Sequence, residues 1–321
     1  MKGSLVIGLD LGGTKIAAGV VASTGKLLSS IRLPTPASGV RRDLGALHDA
    51  ARAAAVAAQV PWRTIRAIGV GVPGAFDPQT GTVWAPNLPG WKKVPLGREL
   101  GRALNHPVFV EGDRNVQALA EAWRGAGGGR VLNMVFLTVG TGIGAGLILD
   151  GRLVPGTRGV AGAAGWMAVE GIWRPIYGRV GCLEAEGAGP AVARLAQMKL
   201  RSSPSSLIRK LAANRPITAE AVAEAARGGD QTARNVLKEA GANLGRGVAS
   251  IVSLLNPELV VIGGGLAGVG ELILAPLRRA ALQWGQPLAS RQVRIVRSRL
   301  GGDAGVLGAA RYAFIQLEEK N

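Results

Sequence analysis

Val6 to Val21 reads VIGLDLGGTKIAAGVV. An apolar run ends at Asp10, the chain turns at Gly12-Gly13-Thr14, and a second apolar run follows Lys15. Alternation in the first run puts Leu5, Ile7 and Leu9 on one face of a strand and Val6, Gly8 and Asp10 on the other. β-Branched and small residues suit strands and the glycine pair marks a tight turn. The stretch therefore predicts a hairpin with a carboxylate at its lip. Gly12 and Gly13 permit close backbone approach to a ligand and can aim N–H groups at an anion. The Thr14 hydroxyl and Lys15 ammonium suit phosphate oxygens, and Asp10 would hold a hydrated Mg²⁺ beside them. An ordinary hairpin, its Asp and glycines serving only the turn, accounts for the same residues, because short glycine motifs are weakly specific.

Outward from this hairpin, the chain of 321 residues is long enough for two domains. A hydrophobic content of 47% excludes a disordered chain. No run approaches the roughly 18 apolar residues of a membrane helix, and the N-terminus enters the first strand without a signal-peptide layout. The single cysteine, Cys182, excludes an internal disulfide and fits a reducing cytoplasm. Two histidines, His48 and His106, restrict histidine-based catalysis and metal binding. The formal net charge of +17 favours polyanionic partners. Arg and Lys are nevertheless scattered, with no recognised nucleic-acid motif, so a solvated basic surface is expected rather than a specific nucleic-acid site.

Downstream, Leu27–Leu33 reads as a third strand, Leu44–Ala58 as an alanine-rich helix and Ile65–Val72 as a buried strand ending at Pro73-Gly74. Residues 76–91 are rich in turn formers and read as an excursion. A helix over Leu96–Leu104 precedes a strand over Pro107–Val110, which delivers Glu111-Gly112-Asp113-Arg114-Asn115 to its carboxyl end, where α/β sheets bind ligands. A helix spans Asn115–Arg124. GAGGGR at 125–130 is a candidate hinge. The opening theme then returns in MVFLTVGTGIGAGLIL at 134–149, with Gly140 placed as Gly12 is in the first hairpin, suggesting an internal duplication. Residues 156–189 read as irregular. Helices over Ala191–Met198, Ala219–Arg227 and Thr232–Leu255 follow, the last stopped by Asn256-Pro257. A strand over Leu259–Ile262 opens onto Gly263-Gly264-Gly265. A helix over Gly270–Trp284, a strand over Val293–Arg297 and a closing helix through Leu317 complete the chain.

In this order the motifs resemble the ROK family of repressors, open reading frames and kinases, specifically its sugar kinases. Asp10-Leu11-Gly12-Gly13-Thr14-Lys15 looks like the first phosphate motif and Gly140-Thr141-Gly142-Ile143-Gly144 like the second. Pro73-Gly74 and Pro86-Asn87-Leu88-Pro89-Gly90-Trp91 look like sugar-side loops, and Gly181-Cys182-Leu183-Glu184 like the end of the family signature. Asn256-Pro257-Glu258 with Gly263-Gly264-Gly265 looks like the nucleotide-side segment. The resemblance implies an α/β, actin-like ATPase (ribonuclease H-like) fold with two lobes around a central cleft, residues 1–124 plus 303–321 forming one lobe and 125–302 the other. It implies ATP and Mg²⁺ as cofactors, a sugar substrate, and a homodimer as the default assembly. Asp113 falls on the family's catalytic base, which takes a proton from a poorly nucleophilic sugar hydroxyl. An N-cap role before the helix is the structural alternative for Asp113, and Asn115 is expected to support the loop.

Three departures alter the expected site. Gly112 replaces the family's Asn before the base. Ala163-Ala164-Gly165-Trp166 replaces Glu-x-Gly-His. The positions of the structural zinc's His and three Cys hold Trp166, Pro175, Tyr177 and Cys182, a set with one thiolate, so no zinc is expected. Packing by Trp166, Trp173 and Tyr177 is expected in its place, with Cys182 a small buried hydrophobe. Glu184 remains the matched sugar-side carboxylate, Glu170 and Glu186 are candidates for compensation, and Trp166 either stacks on a sugar or fills the vacated zinc region. The substrate-side set is thus Gly74, Asn87, Gly112, Asp113, Trp166 and Glu184. A sugar kinase acting on a hexose or modified hexose is the leading expectation. The alternative is a degenerate member binding sugar or nucleotide without turnover; a repressor is disfavoured because the first motif begins at Asp10. The basic charge also admits polyphosphate as donor.

Overall fold

The computed structural model describes residues 3–213 and 215–319. In chain order its strands are β1 Leu5–Leu11, β2 Lys15–Ala22, β3 Ile31–Pro34, β4 Ile65–Val72, β5 Ala75–Asp77, β6 Thr82–Trp84, β7 Val108–Gly112, β8 Met134–Val139, β9 Ile143–Leu149, β10 Arg152–Leu153, β11 Leu259–Gly263 and β12 Arg294–Arg297. Its helices are α1 Val40–Ala57, α2 Leu96–Leu104, α3 Asp113–Trp123, α4 Tyr177–Val180, α5 Cys182–Gly187, α6 Gly189–Lys199, α7 Leu207–Ala212, α8 Ala219–Arg227, α9 Gln231–Leu255, α10 Glu271–Trp284, α11 Pro287–Gln292 and α12 Ala304–Glu319. None of the described helices is long and apolar enough to cross a membrane.

Two compact units divide the chain. One takes residues 1–132, 146–161 and 299–321, the other 133–145 and 162–298. Residues 125–132, 146–161 and 299–302, assigned from sequence to the second lobe, thus group with the first unit.

In the first unit the sheet runs β3-β2-β1-β4-β7. The β1–β2 hairpin is antiparallel, pairing Leu5 with Ala22 through Leu11 with Ile16, whereas β4 lies parallel to β1 and β7 parallel to β4. The alternation read from sequence sets the two faces. Ile7 and Leu9 join the core that contains Leu47, Ala50 and Ala54 of α1. Val6 joins the opposite core with Val306, Ala310 and Phe314 of α12. The closing helix therefore returns to the first sheet, as expected. It approaches closely because glycines face it: a Cβ on Gly8 would sit 2.0 Å from the Val306 carbonyl oxygen and one on Gly69 1.8 Å from that of Ala309.

The second sheet has the order β10-β9-β8-β11-β12, with β8, β11 and β12 parallel. Its order repeats that of the first sheet strand for strand, which supports the suggested duplication. In the second unit α9 is buried along most of its length and lies against α10, where Gly245 faces the Leu277 carbonyl. Asn256 ends α9 in the left-handed conformation at φ 44°.

Several local expectations are corrected. The third strand starts at Ile31, and Leu27 makes only an isolated bridge to Val21. Residues 76–91 contain the small β5–β6 hairpin. The stretch read as irregular, 156–189, contains α4 and α5, and α7 and α11 were also unanticipated. The GAGGGR segment is turn backbone whose Ala126 N–H donates to the buried Glu121 carboxylate at 2.8 Å.

Packing rather than helix propensity governs α12, which a pair of glycine variants separates. Gly308 lies in α12, where an added Cβ would sit 1.7 Å from the Val116 carbonyl oxygen, whereas Gly45 is exposed in α1 with open space around it. Gly45→Ala is expected to stabilise by up to about 1 kcal/mol. Gly308→Ala is expected to destabilise by about 2 kcal/mol or more despite the same gain in propensity. Denaturant midpoints of the two variants provide the check.

Candidate active site

In the first unit the hairpin corner is closed by the Gly12 N–H donating to the Lys15 carbonyl at 2.9 Å. Thr35 fastens it from β3's far end: its hydroxyl donates to Gly12 O at 2.8 Å and its N–H to Thr14 O at 3.0 Å. Gly13, Thr14 and Lys15 are exposed. Asp10, half-buried at the end of β1, lies against Gly305 at the start of α12, where a Cβ would come within 2.2 Å of the carboxylate. Burial and the neighbouring Asp113 charge push Asp10 up to about 6, with Lys15 opposing. Burial also raises Asp113, with Arg114 opposing through its charge and its backbone N–H, which donates to Asp113 Oδ1 at 2.7 Å. The two carboxylates are therefore electrostatic neighbours.

Asp113 is the first residue of α3, after Gly112 in the capping position, so the helix uses it as an N1 acid and not as its N-cap. Behind it sits Glu111, 4% exposed, which accepts the Gly112 N–H at 2.7 Å and the Asn115 amide at 2.9 Å. Asn115 thereby supports the loop as expected. Burial raises Glu111 while those two hydrogen bonds oppose. Gly74, at φ 100°, adjoins Gly112: a Cβ on Gly112 would lie 3.4 Å from the Gly74 carbonyl oxygen. Asn87 is exposed on a loop whose Trp91 indole donates to buried Asp43 at 2.8 Å.

In the second unit the Gly140 N–H donates to Gly142 O at 2.9 Å, and Gly140 O accepts the Gly189 N–H at 2.8 Å at the start of α6. Glu184, on α5, accepts the Ile143 N–H at 2.8 Å, so this expected sugar-side acid also braces the second phosphate hairpin. A cavity of about 790 Å³ opens beside it, lined by Gly140, Thr141, Gly189, Thr218, Arg227 and Gly265 among others. Its size suits a drug-sized ligand, and the starts of α6 and α8 border it. Gly265 faces this cavity. Gly264 at φ 82° is required by its fit against Val139, and Gly263 packs on the Phe136 ring. Sequence reading placed Glu111 at the strand's carboxyl end without a role, and missed Thr35, Gly305, Gly189, Thr218 and Arg227. Of these only Thr218 carried a local signal, a helix N-cap that accepts the Ala221 N–H at 3.2 Å.

The expected aromatic packing in the zinc region is partly overturned. Trp166 and Trp173 are 58% and 70% exposed, while Tyr177 is buried with Cys182 and Ala185. Cys182 is a buried hydrophobe whose sulfur accepts the Val169 N–H at 3.4 Å. Glu170 is engaged by Arg246 at 2.8 Å, and Glu186 by Tyr177, Arg174 and Arg194, so both compensation candidates are already committed to partners. An exposed indole, a proline, a phenol bound to a carboxylate and one thiol do not fit zinc. For Mg²⁺ the oxygen chemistry fits: Asp10 beside Asp113, one or two carboxylates being the usual protein share.

A mixed α/β chain with two such sheets has the actin-like ATPase fold. A crystal structure of a ROK hexokinase from Thermus thermophilus is 38% identical and superposes with TM-score 0.81, covering 98% of this chain and 99% of that one. A ROK glucokinase from Streptomyces griseus, solved with glucose and AMPPNP, is 32% identical with TM-score 0.76 over 97% and 100%. The glucokinase of Thermotoga maritima is 36% identical over 310 residues, 95% of this chain and 96% of that one. The ROK family pattern matches residues 6–314, and the chain belongs to the ROK family.

Removing the Asp10 charge has opposite effects on stability and function. Its folded value of about 6 exceeds the ordinary 3.8, so the ionised carboxylate disfavours the fold above that range. Without nucleotide or divalent cation, Asp10→Asn is expected to raise stability at pH 7.5 by on the order of 1–2 kcal/mol. The gain should shrink as pH falls through 6 and vanish only below about 3, where the wild-type carboxyl is protonated in both states. Denaturation curves across that pH range measure it.

Proposed function

We propose that this chain transfers the γ-phosphoryl group of ATP to a hydroxyl of a hexose or modified hexose. It is a carbohydrate kinase by kinship, with glucokinases at 36% and 32% identity aligned over nine-tenths or more of both chains. The observation that carries the chemistry is the half-buried Asp113 just beyond β7, its proton affinity raised by burial, with Glu111 holding its neighbours Gly112 and Asn115. A carboxylate so tuned accepts a proton at neutral pH more readily than an ordinary aspartate. The acceptor hydroxyl gives its proton to Asp113 as its oxygen attacks the γ-phosphorus, and ADP leaves.

The first unit supplies Asp113, Asp10 and the exposed Gly12–Lys15 corner; Thr14 and Lys15 hold phosphate oxygens. The second supplies the Gly140-Thr141-Gly142 hairpin for phosphates and the 790 Å³ cavity, lined in part by Gly265, for the nucleoside. Asp10 would hold Mg²⁺ through its water shell; bound there, the ion neutralises charge on the phosphates. Gly74, Gly112, Asn87 and Glu184 are proposed to shape the sugar side, and the exposed Trp166 is available for stacking on it. Missing the amide and the Glu-x-Gly-His side chains, the chain is expected to favour a hexose whose affected hydroxyl is absent or modified. The lone cysteine supports a cytoplasmic setting, and a homodimer is the assembly the family resemblance implies.

The test is ADP release over a panel of hexoses, amino sugars and polyols with ATP and Mg²⁺, and with polyphosphate as alternative donor. Turnover is expected with at least one sugar. Asp113→Asn should lower kcat by about 10²–10⁴-fold with nucleotide binding retained. Binding of sugar or nucleotide without turnover by the wild type, or full activity of Asp113→Asn, overturns the proposal.

A further inference from the structure

Helix α5 is six residues long, too short to hold itself. Glu184 and Glu186, two residues apart, project to opposite sides of it. Glu184 reaches the Ile143 N–H of the second hairpin. Glu186 turns inward and is 5% exposed. Its Oε1 accepts the Tyr177 hydroxyl at 2.7 Å and Arg174 at 3.3 Å; its Oε2 lies 3.6 Å from Arg194, which also donates to the Ala185 carbonyl. Its backbone carbonyl accepts the Asn243 amide of α9 at 3.1 Å. One residue thus joins four parts of the second unit: the chain preceding α5, α5 itself, α6 and α9. The segment it fastens, 166–182, holds Trp166, Pro175, Tyr177 and Cys182 where the family pattern places zinc ligands, and these residues do not fit zinc.

We propose that Glu186 is a positioning residue that fastens this segment without metal, its clamp of Tyr177, Arg174 and Arg194 holding α5 so that Glu184 stays on the Ile143 N–H. A buried carboxylate compensated on both oxygens is firm, and withdrawing one partner leaves an uncompensated group, so the clamp is cooperative. The kinetic consequence rests on the kinase assignment; the structural one does not.

The experiment uses the full chain. Zinc content is measured by elemental analysis, and amide hydrogen exchange of 164–187 and of Ile143 is followed with and without the chelator 1,10-phenanthroline. The expected result is less than one-tenth zinc per chain and exchange unchanged by chelator. Glu186→Gln, which keeps an acceptor for Tyr177 but loses the charge facing both arginines, should speed exchange of Ile143 and of 164–187 at least tenfold and raise the sugar KM more than it lowers kcat. Tyr177→Phe removes one hydroxyl and should act in the same direction by a smaller factor, carrying the test if Glu186→Gln does not fold. Stoichiometric zinc whose removal loosens the segment overturns the proposal, as does unchanged Ile143 exchange in both variants. Absence of turnover with every sugar sinks the kinase assignment while the exchange readout still decides the role of Glu186.

Discussion

The backbone of α12 presses directly on β1 and β4, and the surroundings of Asp10 depend on that approach. Carbonyls of Val306 and Ala309 occupy the space where Cβ atoms of Gly8 and Gly69 would stand. Each glycine in a strand costs about 0.5–1 kcal/mol against alanine. Burial of Val6, Val306 and Phe314 at the same contact contributes about 1.5–3 kcal/mol per side chain and outweighs it. The closeness has a functional consequence as well: it sets Gly305 against the Asp10 carboxylate, so residues nearly the whole chain apart define one acid's surroundings. The device recurs in the second unit, where Gly241 and Gly245 of α9 admit the carbonyls of Ile273 and Leu277 from α10.

Charge is distributed with two signs. The chain as a whole carries +17, a field that draws a triphosphate from solution. At the first hairpin, however, burial raises the proton affinity of both Asp10 and Asp113, and the Asp113 charge raises that of Asp10 further. Two acids held together without full compensation destabilise a fold, and the arrangement makes sense where one takes a proton and the other faces a hard cation. Glu111 stands behind them in a different state of satisfaction, with its Oε1 occupied by the Gly112 N–H and the Asn115 amide. Two carboxylates two residues apart thus differ in what holds them: Glu111 has an oxygen taken by two donors, whereas Asp113 accepts the Arg114 N–H.

Most of the frame was legible in the sequence. The period of two in β1 named both faces correctly, β4, α2 and α8 fell on their expected bounds, and the repeated Gly corner announced a repeated sheet. Helix α5 was not legible. Its six residues lie just after Gly181 and include Gly187, and they owe their order to Glu186's distant partners Tyr177, Arg174 and Arg194 rather than to local propensity. Trp166 and Trp173 misled because size and apolarity suggest burial, whereas exposure depends on what the rest of the chain offers to cover them. Gly305 bore no signal at all, being one of 49 glycines, and mattered only through Asp10. Glu111 was placed at the carboxyl end of its strand, but its bond to Asn115 spans the β7–α3 junction, which no helical spacing predicts.

The departures on the sugar side differ in what the backbone requires. Gly74 is obligatory: φ is 100° and a Cβ would meet the Trp84 carbonyl at 2.2 Å. Gly112 is not. Its φ of −63° and ψ of 144° suit any residue, and a Cβ would sit 3.4 Å from the Gly74 carbonyl, an ordinary contact. A side chain there would project beside Asp113 with no conformational penalty. Glycine at this position is therefore not required by the backbone of the β7–α3 turn. Loss of a polar arm at an unconstrained position enlarges the room beside Asp113. It also removes a hydrogen bond worth about 0.5–1.5 kcal/mol to a substrate that could use it. On the proposed reading, substrate choice is the property that such a change alters, while Asp113, Glu111 and the two glycine corners stay in place.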